Sequence, residues 1–395
     1  MKRKIKNNVY WVGKIDWEME TFHGSDYSIN HGSSQNAYLI QEEKTVLIDT
    51  VWKPHATEFV ENLEKEIDLQ KIDFIVMHHG EIDHSGALPA LMEKIPDTPI
   101  YCTANGVKSL VGQYHHPEWN FKVVKTGDSV EIGNGKKLVF VEMTMLHWPD
   151  SMATYLTEDN ILFSNDAFGQ HFAVEELFND KADSCHLWEE AIKYYANILN
   201  PFSPLVKKKI EEIQALNLPI DIIATSHGVI WRDNPLEIVE KYYQWAQEYQ
   251  ENQITIAYDT MWEGTMQLAN RIGAEISRIS PATKVKIFNI SKTDKNDIMT
   301  EVFRSKAVAI GSPTVGQNIL SSMSGWLSFL KELKFKNKKA AVFGCYGWSG
   351  ESTKVLRQRL SEAGFGVIEP EIKCNWNPEE DDFQKATALA EALCK

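Results

Sequence analysis

Alternating apolar and polar positions divide the chain into two parts with different rhythms. In the first part, short apolar runs at residues 36–40 and 45–48 predict strands. Apolar residues spaced three and four positions apart at 187–199 and 206–216 predict amphipathic helices. Because strands and helices are mixed in this way, we expect the first part to form a layered α/β domain.

From residue 253 onward the pattern becomes strand, loop and helix, repeated. Continuous apolar runs occupy residues 254–257, 285–288, 307–310 and 340–343, and all but the second precede a loop rich in Gly, Ser, Thr or Pro. Strands that are apolar along their whole length are typical of a parallel sheet buried on both faces. A chain of 395 residues is long enough for two domains, and the polar segment 247–253 is the predicted joint. We therefore place the domains at residues 1–250 and 251–395.

The composition argues against several classes of protein. A hydrophobic fraction of 43% and a charged fraction of 24% are ordinary for a globular protein, and the formal charge of −14 would repel nucleic acid and anionic membranes. No stretch is apolar enough to span a bilayer or to form the core of a signal peptide. The five cysteines contain no Cys-x-x-Cys pair, which disfavours a disulfide framework, a zinc ribbon and a rubredoxin centre. A reducing cytoplasm is the expected location.

Potential metal ligands cluster after the apolar run at residues 74–77. From position 78 the chain continues His-His-Gly-Glu-Ile-Asp-His-Ser-Gly, and three further candidates each end a β-like run downstream. Ligands at strand ends would meet at one rim of the domain. Carboxylates suit iron better than zinc, because oxygen donors stabilise the ferric state and can bridge two metals. The predicted ligands of this dinuclear site are His79, Glu81, Asp83, His84, His147, Asp166 and His227.

Three loops in the second part have the features of a flavin site. A flavin phosphate needs backbone N–H groups and hydroxyls where a helix follows a strand, and the loop from Thr260 to Thr265 meets that requirement. The loops after the third and fourth strands supply glycines for close approach and aromatic rings for packing. No Gly-x-Gly-x-x-Gly run opens this part, so FMN is favoured over a nicotinamide dinucleotide. The predicted flavin-binding residues are Thr260, Met261, Trp262, Glu263, Gly264, Thr265, Ser312, Pro313, Thr314, Val315, Asn318, Tyr346, Gly347, Trp348, Ser349 and Gly350.

The order of the metal ligands resembles the metallo-β-lactamase fold, whose members carry His-x-His-x-Asp-His, then a His, a bridging Asp and a final His. At position 81 this chain has Glu in place of the second His, and His-x-Glu-x-Asp-His is the pattern of flavodiiron proteins. The resemblance to that family extends to residues 147–152, 165–171, 194–197 and 226–228. It implies a metallo-β-lactamase-like αββα sandwich followed by a flavodoxin-like doubly wound parallel sheet.

The same resemblance implies roles for individual residues. His79, Glu81 and His147 would bind one iron, Asp83, His84 and His227 the other, and Asp166 would bridge them. His171 and Tyr195 would hydrogen-bond a bound diatomic or its reduced product.

The implied activity is reduction of O2 to water, of NO to N2O, or of both, with FMN relaying electrons. Longer members of the family carry a fused rubredoxin or flavin-reductase domain. The sequence to Lys395 lacks the necessary cysteine pairs, so we expect an external donor such as rubredoxin. The family also implies a head-to-tail homodimer, or a dimer of such dimers, in which FMN of one subunit faces the irons of another.

Two other interpretations remain open from the sequence. One is a dinuclear zinc hydrolase of the lactamase type with a regulatory flavodoxin domain, although hydrolases favour His where this chain has Glu81. The other is an electron carrier fused to an inert domain, which the ordered set of ligands disfavours. The preference for NO or O2 depends on details of the pocket that the sequence does not specify.

Overall fold

A computed structural model, which describes residues 2–395, divides the chain into two compact units. The first unit runs to Tyr194 and resumes over Phe202–Gln244, and the second comprises Tyr195–Pro201 and Trp245–Lys395. Part of the predicted joint at 247–253 belongs to a strand, Glu251–Tyr258. A polar residue is accommodated there because the buried amide of Gln253 donates to the backbone oxygen of Glu301 at 3.2 Å.

The first unit contains a seven-stranded sheet. It has the order β1-β2-β7-β8-β9-β10-β11, antiparallel as far as β8 and parallel beyond it. Its strands are β1 (Arg3–Lys6), β2 (Val9–Trp11), β7 (Tyr38–Gln41), β8 (Thr45–Ile48), β9 (Ile72–Val76), β10 (Ile100–Cys102) and β11 (Phe121–Val123). Two short ribbons precede β7, formed by β3 (Lys14–Asp16) with β6 (Ser33–Gln35) and by β4 (Thr21–Phe22) with β5 (Tyr27–Ser28).

A five-stranded sheet completes the first unit. Its strands are β12 (Ser129–Gly133), β13 (Lys136–Glu142), β14 (Met152–Leu156), β15 (Ile161–Asn165) and β16 (Ile222–Thr225), in that order across the sheet. Only the last pair, β15 and β16, is parallel. The carboxyl ends of β15 and β16 therefore lie side by side.

The two sheets pack face to face, with helices on their outer faces. Between the sheets, Phe74 of β9 shares a buried core with Phe140 and Phe163. The opposite face of the larger sheet packs on α1, α3 and α4, and Trp188 of α5 lies 5.3 Å, centroid to centroid, from Trp231 near the smaller sheet. This is the predicted αββα sandwich. Its helices are α1 (Ala56–Glu66), α2 (Ile82–Ser85), α3 (Leu88–Met92), α4 (Ala104–Tyr114), α5 (Ser184–Tyr194), α6 (Ser203–Ala215) and α7 (Leu236–Trp245).

The predicted helix at 187–199 is divided in the structure. The α-helix α5 ends at Tyr194, and Tyr195–Leu199 form a π-helical turn. Within the second unit, Asn197 binds this turn to a neighbouring helix, because its Nδ2 donates to Asn296 O at 3.2 Å and to Thr300 Oγ1 at 3.1 Å. Apolar spacing alone does not distinguish a wider turn from a regular one, so the change was not foreseen.

The second unit is a doubly wound parallel sheet. Its order is β18-β17-β19-β20-β21, with β22 also pairing β20, and every pair is parallel. The strands are β17 (Glu251–Tyr258), β18 (Lys284–Asn289), β19 (Ser305–Gly311), β20 (Lys339–Tyr346), β21 (Gly366–Val367) and β22 (Ile372–Asn375). The helices are α8 (Gly264–Ile279), α9 (Lys295–Arg304), α10 (Ser321–Glu332), α11 (Ser352–Glu362) and α12 (Glu380–Cys394).

The strand order of this sheet reverses at β17, which has β18 on one side and β19 on the other. A reversal of this kind opens a crevice beyond the carboxyl ends of the strands, where doubly wound sheets bind ligands. Within residues 2–395, no helix is both long enough and apolar enough to cross a membrane.

Candidate metal centre and flavin pocket

The candidate metal ligands all follow strand ends at one rim of the sandwich. His79 lies in the loop after β9, and Asp83 and His84 lie on the short helix α2 that this loop enters. Asp166 directly follows β15, and His227 follows β16 by one intervening residue. The parallel register of these two strands, with Asn165 opposite Thr225, brings their ends together.

Asp166 lies between two pairs of histidines. Its Oδ2 is 3.8 Å from His79 Nε2 and 3.6 Å from His147 Nε2. Its Oδ1 is 3.1 Å from His84 Nε2 and 3.4 Å from His227 Nε2. A carboxylate whose two oxygens face different histidine pairs has the arrangement needed to bridge two cations.

Glu81 and Asp83 each approach one of these histidine pairs. Glu81 Oε2 is 3.2 and 3.6 Å from the two Nε2 atoms that face Asp166 Oδ2. Asp83 lies on the other side, with its oxygens 3.6 and 3.0 Å from the two Nε2 atoms that face Asp166 Oδ1. The structure thus brings the seven predicted ligands together as two trios around one shared carboxylate.

Several oxygen and nitrogen atoms of this cluster that could bind a metal are buried without a hydrogen-bond partner among the described residues. They are both carboxylate oxygens of Asp83, Asp166 Oδ2, His84 Nε2 and His227 Nε2. An unpaired buried polar group costs about 1–3 kcal/mol, so such a cluster is expected only where a bound group supplies the missing partners. Converging carboxylate and imidazole donors fit a pair of iron ions.

Protons on the histidines balance the carboxylates of the metal-free site. Burial opposes protonation of His227, but the neighbouring carboxylates of Asp166 and Asp83 outweigh it and raise the pKa of His227 to about 10. Burial likewise opposes ionisation of Asp83, yet the charge on His84 holds the pKa of that carboxyl below its usual range. The exception is His147, whose pKa is lowered by burial.

Buried groups behind the ligands fix the orientation of two of their rings. His79 Nδ1 lies 3.0 Å from Asp150 Oδ1, and the other oxygen of Asp150 accepts the Gly80 N–H at 2.8 Å. His227 Nδ1 donates to the backbone oxygen of Ser34 at 2.8 Å. Because Nδ1 of each ring is occupied in this way, Nε2 is left to face the site.

The backbone conformation at position 228, directly after His227, requires a glycine. Gly228 has a φ of +72°, and a Cβ at this position would collide with the side chain of Gln170. The chain can therefore turn sharply beyond His227 only with glycine here.

Sequence reasoning missed three groups that support the site. His23, beside the ribbon formed by β4 and β5, has Nε2 2.9 Å from Glu81 Oε1, and its side chain is 38% exposed. Asp49 accepts the backbone N–H of His78 at 2.8 Å and lies 2.7 Å from His78 Nδ1. Asp150 was quoted only as part of a motif. No local pattern assigns these residues a role, because only the fold brings His23 to Glu81, Asp49 to His78 and Asp150 to His79.

His171, one of the two predicted second-sphere residues, lies beside the centre. Its Nδ1 is 2.8 Å from Ser33 Oγ, and its ring centroid is 5.1 Å from that of His227. Nε2 is buried without a hydrogen-bond partner among residues 2–395. Burial lowers the pKa of His171 well below its usual value, so the ring is neutral at pH 7.

Tyr194, the residue before the predicted Tyr195, has its ring beside His171, at 5.4 Å between centroids. Within the second unit, the ring of Tyr195 packs 5.5 Å from Trp245 and 5.7 Å from Phe303, and its expected role at the metal centre stays a prediction.

The second unit has a cavity of about 590 Å³ beyond the carboxyl ends of its strands. Most of the predicted flavin residues line it. The lining consists of Thr260, Met261, Trp262, Gly264, Thr265, Pro313, Thr314, Val315, Gly316, Gln317, Cys345, Tyr346, Gly347, Trp348, Ser349, Trp376 and Asn377. The predicted set omitted Gly316 and Gln317 of the second loop and Cys345 near the end of β20. It also omitted Trp376 and Asn377, because the loop after β22 carried no motif.

The predicted residues Glu263, Ser312, Asn318 and Gly350 do not line the cavity. They shape its loops: Ser312 Oγ accepts the Leu320 N–H at 3.1 Å, and Glu263 and Gly350 adopt positive φ angles. At the start of α8, the hydroxyl of Thr265 is buried with no hydrogen-bond partner among the described residues. An unpaired donor at a helix N-terminus fits the phosphate of FMN.

Comparison with known families agrees with this architecture. Residues 33–228 match the family model described as ODP family beta lactamase, and residues 256–388 match the flavodoxin model. A lactamase-type sandwich with a ligand set for two irons, joined to a flavodoxin domain, defines an oxidoreductase that uses flavin and non-haem iron.

Relatives across the whole chain identify the family. An anaerobic nitric oxide reductase flavorubredoxin from Vibrio vulnificus is 56% identical over 391 residues, which are 99% of this chain and 79% of the relative. A protein of the same description from Klebsiella pneumoniae is 55% identical over 380 residues, covering 96% of this chain and 79% of the relative. The chain belongs to the flavodiiron proteins, as its resemblance predicted, and its cofactors are a diiron centre and FMN.

Solved structures of the family have the same fold. Rubredoxin oxygen:oxidoreductase from Desulfovibrio gigas superimposes with a TM-score of 0.96 at 35% identity, covering 100% of this chain and 98% of the other. The flavodiiron protein from Giardia intestinalis gives 0.93 at 30% identity, with coverage of 100% and 98%.

Iron loading of the metal-free protein should release protons at pH 7. The raised pKa of His227, about 10, leaves a proton there that the cation must displace. Iron affinity should therefore rise as the pH increases from 6 toward 10. Anaerobic calorimetry in two buffers of different ionisation enthalpy counts the protons. A His116→Gln variant, at an exposed histidine away from the centre, should behave as wild type, and loading without proton release would contradict this description.

Replacement of Thr265 by Val should weaken FMN binding about 10- to 150-fold, because a hydrogen bond to a charged group contributes about 1.5–3 kcal/mol. The dissociation constant is measured by flavin fluorescence during titration of the flavin-free protein. Thr387→Val removes a hydroxyl that donates to Phe383 O on α12 and is the matched control. Equal affinities in both variants would exclude Thr265 from the phosphate site.

Proposed function

We propose that the chain reduces NO to N2O and O2 to water at the seven-ligand centre, with electrons delivered through FMN. The carboxylate of Asp166, with one oxygen facing each histidine pair, is the observation that carries this proposal. Relatives described as nitric oxide reductases and an oxygen oxidoreductase support the two substrates. Both gases are small and neutral, so one centre suits either.

The electron count is compatible with both reactions. When bound, two ferrous ions supply two electrons and open positions for a diatomic gas, and reduced FMN supplies two more electrons. Conversion of two NO molecules to N2O requires two electrons, and conversion of O2 to water requires four. A dinuclear centre that receives electrons from a two-electron flavin therefore suffices for each reaction.

Two neighbouring histidines orient a ligand of this centre and offer it a hydrogen-bonding group. His23 engages the outer oxygen of Glu81, which leaves Oε2 directed at His79 and His147. His171 is neutral and has its buried Nε2 available, so it is suited to donate to or accept from a polar product.

The hydrolase alternative is less well supported. A hydrolytic zinc centre needs no flavin, yet the second unit matches the flavodoxin model and has a cavity at the switch point of its sheet. Glu81 also supplies an oxygen donor where the hydrolase pattern has an imidazole. We therefore favour reduction over hydrolysis.

We also propose an external electron donor, with rubredoxin as the candidate. The support is a relative whose description names rubredoxin together with oxygen oxidoreduction. The expected cytoplasmic location is supported by the cysteines, none of which is in a disulfide among the described residues.

A head-to-tail homodimer, alone or paired into a dimer of dimers, is part of the proposal. Trp262 and Trp348 are 87% and 88% exposed at the mouth of the flavin cavity. At the metal rim, Ile82 and Met145 are 39% and 36% exposed. Large apolar side chains in such positions are typical of surfaces covered by a partner. Pairing the two surfaces between copies would bring FMN of one subunit to the metal centre of the other.

Replacement of Asp166 by Ala should abolish reduction of both gases, lowering turnover more than about 100-fold, while FMN content stays unchanged. The measurement is anaerobic NO consumption and, separately, O2 consumption with one reduced donor, together with iron and flavin analysis. Asp97→Ala removes an exposed aspartate and is the control. Retained turnover in the Asp166 variant would refute the proposed centre, as would zinc in anaerobically purified wild type.

Complementation tests the head-to-tail pairing. Asp166→Ala subunits should lack a working metal centre, and Thr265→Glu subunits should repel the FMN phosphate. Neither variant should turn over alone, but a mixed dimer contains one intact metal centre facing one intact flavin. Co-expression with two affinity tags isolates this heterodimer. Purified heterodimer without recovered turnover would contradict the arrangement, and tagged Asp166→Ala homodimer is the control.

A further inference from the structure

Two cysteines lie directly opposite each other on neighbouring strands of the second unit. In the parallel pairing of β20 with β22, Cys345 is the register partner of Cys374. Both side chains are buried in the core that the sheet shares with α8 and α12. They therefore point to the same face of the sheet.

This placement meets the geometric requirement for a disulfide. Neighbouring strands lie about 4.7–4.9 Å apart, and the Cα atoms of a disulfide usually lie about 4.4–6.8 Å apart. A hydrogen bond also joins the two thiols, so their sulfur atoms already face each other. A bond between Cys345 and Cys374 therefore requires rotation of the side chains but no movement of the backbone.

Each thiol also contacts a wall of the flavin cavity. Cys345 lines the cavity, and its Sγ is 3.0 Å from the position that a Cβ on Gly264, the first residue of α8, would occupy. Cys374 donates through Sγ to the backbone oxygen of Trp376 at 3.9 Å, and Trp376 is part of the same lining. A disulfide would consume the hydrogen that binds Trp376 and would draw the sulfur of Cys345 away from Gly264.

The cavity gives a small reagent access to these thiols. Cys345 is 7% exposed and Cys374 is fully buried, so a reagent reaches Cys345 first, through the cavity that it lines. Burial raises the pKa of both thiols, which keeps them protonated at neutral pH and limits their reaction with other thiols. Because FMN binds in this cavity, a bound flavin would shield Cys345.

We propose that Cys345 and Cys374 form a redox modification site, at which a hydroperoxide oxidises the two thiols of the flavin-free protein to a disulfide that weakens FMN binding. The sulfur of Cys345 attacks the hydroperoxide, which leaves a sulfenic acid and releases an alcohol, or water when the oxidant is hydrogen peroxide. The sulfur of Cys374 then displaces water from the sulfenic acid. One dithiol and one hydroperoxide thus give one disulfide, one alcohol and one water, so atoms and electrons balance.

Oxidation and FMN binding must oppose each other by the same factor. We expect the disulfide to raise the dissociation constant of FMN about tenfold, comparable to the loss of one hydrogen bond at the cavity wall. By reciprocity, saturating FMN favours the dithiol by that factor. The reduction potential of the disulfide should therefore be about 30 mV higher with FMN than without it, since this is a two-electron couple.

Peroxide treatment of the full-length, flavin-free and metal-free protein tests the proposal. A background with Cys185→Ser and Cys394→Ser removes the two cysteines outside this pair that are not buried. Mass spectrometry should show the loss of two hydrogens, and a digest should contain the Cys345 peptide linked to the Cys374 peptide. FMN affinity, measured by flavin fluorescence, should fall about tenfold and recover after treatment with dithiothreitol. Protein loaded with FMN before the peroxide should keep both thiols.

Variants separate the disulfide from other oxidation. Cys374→Ser keeps Cys345 in the cavity wall, so peroxide should add oxygen to this variant without forming a link. Cys102→Ser, at a buried cysteine of the first unit, is the matched control and should respond as the parent protein does. Titration of the parent protein in thiol–disulfide buffers, with and without FMN, gives the reduction potential and depends on no variant of the pair.

None of these measurements uses gas turnover, so they test the modification site separately from the proposed function. Absence of the link between Cys345 and Cys374 after peroxide treatment would overturn the inference. A link that leaves both the FMN affinity and the reduction potential unchanged would also overturn it, because the disulfide would then have no effect on the flavin cavity.

Discussion

The shared carboxylate of Asp166 is the constraint on which the first unit depends. Its two oxygens must reach two histidine pairs that come from separate strands, so the ends of β9, β15 and β16 must meet within a few ångströms. Such convergence requires the sheets to face each other in a fixed register. The buried aromatic core between them supplies that rigidity, because close-packed side chains leave little room for sliding. The cluster of charged groups is tolerated at the rim because cations, or protons in their place, compensate the carboxylates.

Much of this architecture was accessible from the sequence, for identifiable reasons. The strand Thr45–Ile48 was predicted with its observed bounds, and four of the six strands of the second unit were predicted within three residues at each end. Continuous apolar runs identify such strands because both faces of a parallel sheet are buried. The metal ligands were identifiable because the chemistry requires particular residue types in a particular order.

What the sequence did not reveal depends on distances across the fold. His23 lies far from the ligand motifs along the chain, and only the placement of the ribbon formed by β4 and β5 brings it to Glu81. Trp376 joins the flavin cavity because β22 pairs directly with β20, a neighbour relation that no local pattern expresses. The change from α5 to the π-helical turn at Tyr195 was likewise not predicted. Small changes of helical phase redirect whole rings, and apolar spacing is too coarse to detect them.

The π-helical turn also affects whether the two units can be exchanged separately between proteins. Tyr195–Pro201 belong to the second unit although they lie between two stretches of the first, so the backbone passes from one unit to the other three times. Neither unit is formed by one continuous stretch of the chain. Recombination at a single peptide bond near residue 245 would transfer the flavin-binding half without Asn197, whose side chain hydrogen-bonds to α9. The metal-binding half would keep a Tyr195–Pro201 segment that had not evolved with its new partner half. Genetic exchange of these halves between proteins would therefore have to transfer a short internal insert together with the long carboxyl-terminal piece.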